Sequence, residues 1–104
     1  MRFSELLDRI AHPAGTMVKR AFAWEGLGDC DEIVERSPRE FLEKLAELLN
    51  GDDRQAKLFI YLAAEALRVE RGVDIDPDEW LEAFLSDDAA YVRLWLRRLE
   101  GELT

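Results

Sequence analysis

The chain has 104 residues, 48% hydrophobic and 36% charged, enough apolar material for a core under a solvated shell and too much for a disordered tail. Its formal net charge of -9, from 23 acidic and 14 basic side chains, opposes binding to DNA or RNA, because lysine and arginine supply most of the non-specific affinity for phosphate. A lone cysteine forms no internal disulfide, the longest uncharged apolar run (58–64) is far short of the roughly 20 residues of a membrane span, and the opening MRFSELLDRI lacks a secretory h-region. Together these predict a cytoplasmic protein of one domain (1–104) without membrane contact.

Phe3, Leu6, Leu7 and Ile10 lie on one face of a short helix that His12-Pro13 interrupts. Beyond Gly15, the residues Met17, Val18, Ala21 and Phe22 form a second apolar face, which Gly26 and Gly28 close. A third short turn places Cys30, Ile33 and Val34 together. In SPREFLEKLAELLNG, Ser37 caps, Pro38 suits the first helical position, Glu40 completes a capping box, and Asn50-Gly51 supplies a left-handed stop after a stripe from Phe41 to Leu49.

The next segment, 53–71, is apolar around nearly its whole circumference at its middle turns. Such a helix belongs inside a protein, and it is predicted to run about 28 Å through the core, ending at Gly72. Asp76, Pro77 and Glu79 repeat the capped start for a helix burying Trp80, Leu81, Phe84 and Leu85. A last helix, about 88–100, buries Tyr91, Val92, Trp95, Leu96 and Leu99 and turns Arg93, Arg97 and Arg98 outward. The likeness of 37–45 to 76–84 is what two capped amphipathic helices share. No alternating pattern of useful length occurs, so the expected fold is all-α: a compact bundle of six to seven short helices around a central buried helix. Phe41, Leu45, Phe59, Leu62, Ala63, Leu67, Trp80, Phe84, Trp95 and Leu99 are the expected core.

The rare residues form no reacting set. Asp74, Asp76 and Asp78 alternate like the start of a calcium loop, but its glycine position holds Glu79 and its bidentate glutamate position holds Leu85. Cys30 sits among Asp29, Asp31 and Glu32, whose charges disfavour a thiolate. His12 is the only imidazole, so no two-histidine metal pair exists, and the glycines of WEGLG lack the lysine of a phosphate loop. No catalytic residue, metal site or cofactor is expected.

Charge distribution points elsewhere. Between residues 74 and 88 stand seven acids (Asp74, Asp76, Asp78, Glu79, Glu82, Asp87, Asp88) and no base, a pattern suited to steering a partner with a basic surface. The chain therefore reads as a non-enzymatic protein-interaction module, an adaptor or small subunit, with those acids as the partner-binding residues. The alternative is an acidic inhibitor of the immunity, antitoxin or counter-defence kind, blocking a basic or nucleic-acid-binding surface. Trp24, Tyr61 and Trp80 suit either a core or a homo-oligomer interface.

Overall fold

The computed structural model describes residues 1–103. Among these are seven helices and no strand: α1 (Phe3–Ala11), α2 (Ala14–Trp24), α3 (Cys30–Arg36), α4 (Pro38–Leu48), α5 (Asp53–Arg71), α6 (Pro77–Leu85) and α7 (Ala89–Glu102). The fold is a compact all-α bundle, as the helical periodicity requires.

The helices start and stop for two different reasons. In the C-terminal two thirds the signals are local. Ser37 accepts from the Glu40 amide, Asp52 from Gln55, Asp76 from Asp78 and Asp88 from Tyr91, while Gly72 adopts a left-handed conformation (φ 67°) that closes α5. The expected capping box at α4 is only half formed, because the Glu40 carboxylate turns to Arg36 and Lys44 instead of reaching back. In the N-terminal third, neither Arg2 nor Pro13 caps its helix with a side chain. Remote carboxylates do so. Asp31 of α3 accepts from the Ser4 amide (2.8 Å) and hydroxyl (2.7 Å) in the first turn of α1. Asp8 of α1 accepts from the Thr16 amide (3.0 Å) and hydroxyl (2.7 Å) in the first turn of α2.

Gly15 was expected to separate two helices but lies inside α2, buried against α1. A Cβ there would stand 1.7 Å from the Ser4 carbonyl oxygen. The glycine is therefore a contact point that lets the two helices approach, not a break.

The middle of the core is aromatic. Phe41 of α4 stacks on Phe22 of α2 at 5.2 Å and meets Phe3 of α1 edge-on at 5.1 Å, and Phe84 of α6 joins Phe3 to Trp80. All five rings are fully buried. Phe41, Leu45, Ala63, Leu67, Trp80, Phe84, Trp95 and Leu99 are buried as expected.

The expected placement of α5 requires correction. The helix forms over the predicted range, yet only one face is covered: Ala56, Ile60, Ala63, Ala64 and Leu67 are buried, Phe59 is half-buried, and Leu62 is exposed. Small residues dominate its inner side, allowing close approach to the bundle, while larger apolar residues point away. Short helices carrying aromatic anchors fill the centre, and among the described residues no element wraps the outer side of α5. On α2, likewise, Phe22 is buried but Met17 stands in solvent.

Candidate functional site

The acids singled out from the sequence do not act as one group. Asp76 and Asp88 are helix caps. Asp87, in a left-handed turn (φ 62°), accepts from the Ser37 hydroxyl (2.8 Å) and the Arg39 amide (3.3 Å), tying the α6–α7 corner to the start of α4. Asp74 is exposed in the connector before α6. Asp78, Glu79, Glu82 and Asp88 line one shallow depression of about 600 Å³ together with Ala83, Ser86 and Tyr91. The structure thus assembles four of the seven acids and gives Asp76, Asp87 and Asp88 structural duties.

The single thiol and the single imidazole lie in unlike settings. His12 is exposed at the C-terminus of α1, whereas Cys30 is fully buried in the first turn of α3. Burial, reinforced by the charges of Asp31 and Asp29, pushes the Cys30 thiol up from its ordinary 9.0 to about 12, leaving it protonated and unreactive at neutral pH. Because the folded value lies above the unfolded one, the thiol's contribution to stability is complete below about 9 and lost as pH rises towards about 12.

Asp29, Cys30 and Asp31 bring three metal-ligating atoms within 4.8 Å of one another. Their other commitments oppose that use. Both Asp31 oxygens already serve Ser4, and Oδ2 also accepts from Lys19 Nζ at 3.2 Å. This hydrogen bond and the charge of Asp31 raise the Lys19 pKa. A metal ion here would take the carboxylate away from the first turn of α1. The cluster is best understood as the pin that holds α1, α2 and α3 together.

A different surface has no such structural occupation. An open groove of about 310 Å³ runs between α1 and α5, lined by Leu7, Ile10 and Ala11 of α1, Ala14 of α2, and Phe59, Leu62, Ala63, Ala66 and Glu70 of α5. Beside it stand Leu58 (53% exposed), Leu62 (51%) and Val69 (64%), which fall within about 40° of arc on a helix of 3.6 residues per turn. Leu62 belongs to both the groove and the stripe, so the two form one apolar surface. Glu70 is the only charged residue in the lining, and its carboxylate makes no hydrogen bond or ion pair with any described residue. Trp24, at the end of α2, is 89% exposed.

The width of the apolar arc on α5 was visible in the sequence. That width does not amount to enclosure within the described fold, which covers only the face of Ala56, Ile60, Ala63, Ala64 and Leu67. Compared with protein-family models, curated proteins and solved structures, the chain matches none. Among the described residues, no helix is long and apolar enough to cross a membrane.

Proposed function

We propose that the protein is a non-enzymatic interaction module, an adaptor or small subunit, whose primary contact surface is the α1–α5 groove and its flanking stripe. The observation that carries this reading is the outer face of α5. Leu58, Leu62 and Val69 are exposed on the same helix that buries alanines inward, an arrangement that leaves apolar area in water unless a second molecule covers it. The acids of the α6–α7 depression would then steer approach rather than supply the main contact.

The test is quantitative affinity capture from the native host, using the wild-type chain, Leu62→Lys, and the double variant Asp78→Asn/Glu82→Gln. One defined protein retained by the wild type and the double variant, and lost with Leu62→Lys, is the expected result. Identical captured sets for wild type and Leu62→Lys would refute it.

A second reading is favoured by one observation, the convergence of Asp78, Glu79, Glu82 and Asp88 on a common depression. It makes the protein an acidic inhibitor of a basic or nucleic-acid-binding surface. In that case the double variant loses the partner, salt weakens binding steeply, and nucleic acid competes.

A further inference from the structure

We infer that the occupant of the α1–α5 groove is an amphipathic α-helix of a partner protein, lying along α5 with a lysine or arginine opposite Glu70; this rests on the interaction reading above and names the partner's chemistry.

The groove dictates the form of its occupant. Its lining is apolar apart from Glu70, so it offers almost nothing to an unpaired backbone amide or carbonyl. An extended segment buried there would leave its own polar groups unsatisfied, and the described residues hold no strand edge to pair with it. A helix satisfies its backbone internally and presents only side chains, the helix-in-groove mode of recognition. From Phe59 to Glu70 the α5 wall extends about 16 Å, roughly three helical turns, which matches anchors at i, i+3 or i+4, and i+7. Ala63 and Ala66 on that wall leave room for larger anchors from the other side.

Charge decides between occupants. Glu70 is an unpaired carboxylate at one end of an apolar channel, and the whole chain carries -9. Both favour a cationic helix. The same charges oppose a fatty acid, whose carboxylate would meet Glu70, and a second copy, which would bring another -9.

The experiment is selection from a displayed library of helix-forming peptides about 14 residues long on the full chain, with depletion on Leu62→Lys. Leu62 is half exposed, so that variant folds; an unchanged thermal melt checks this, and Leu58→Lys serves as a second depletion target. Enriched peptides should carry apolar residues at helical spacing and a basic residue in one terminal turn. Replacing that basic residue by glutamate should weaken binding about fivefold, and Glu70→Lys should reverse the preference.

Failure to enrich any sequence over the depletion variants, enrichment without helical spacing, or a charge preference indifferent to Glu70→Lys would overturn the inference. So would a Leu62-dependent dimer in sedimentation equilibrium, which would give the face to a second copy. A native partner that requires Leu62 but docks a non-helical segment would leave the interaction reading standing and remove this one.

Discussion

On the α6–α7 side, Asp76 and Asp88 each close a helix N-terminus and Asp87 holds the corner against α4. On the outer side of α5, Leu58, Leu62 and Val69 close nothing and are half exposed or more. The acidic segment stands out in the sequence because its charges are concentrated, yet much of that concentration is the chemistry of starting two helices in quick succession. The apolar face looks ordinary in the sequence because hydrophobic residues are expected in a core. In the fold it is the surface without a structural explanation, and that makes it the stronger candidate for function.

The contrast can be broken first on α5 itself. Leu67→Ala, on the buried face, should cost on the order of 2–5 kcal/mol in denaturant unfolding, whereas Leu62→Ala should cost less than about 1 kcal/mol because that side chain is already half in water. Equal losses would mean that α5 is enclosed after all. Next comes the pin between α1, α2 and α3. Asp31→Ala leaves the buried Ser4 amide and hydroxyl without their acceptor, an expected cost of about 2–3 kcal/mol, with the helical signal of α1 the first to fray in hydrogen exchange. A cost below about 0.5 kcal/mol would show that α1 is held by its apolar contacts alone.

The acidic side should divide in a smaller way. Asp88→Ala removes a cap and should cost about 1 kcal/mol, while Glu82→Gln, with no bonded partner, should change stability by no more than about 0.5 kcal/mol. Matching effects at the two positions would undo the separation of capping acids from free ones.

Much of the fold was legible from local chemistry. The start and end of α5, the proline starts of α4 and α6, and the glycine stop at Gly72 are written within a few residues of where they act. The remaining determinants are non-local. Asp31 resembles an acid placed to suit the dipole of α3, and nothing nearby announces that its carboxylate serves Ser4, 27 residues away. Gly15 resembles a helix breaker until α1 is seen packed on it. The periodicity of 53–71 says how much of the helix is apolar but cannot say which molecule covers each side. A helix that is greasy all round must lose its outer face to something; here the aromatic rings of α1, α2, α4 and α6 fill the centre, and no helix among the described residues covers the outer side of α5.

The most direct measurement is the rate at which a thiol reagent modifies cysteines introduced singly along α5. Native Cys30, buried and with its pKa pushed up to about 12, provides a silent internal reference near pH 8. Leu62→Cys and Leu58→Cys should react about as fast as in the unfolded chain, and Leu67→Cys as slowly as Cys30. Protection of positions 58 and 62 equal to that of 67, in dilute monomeric protein, would contradict an uncovered apolar face.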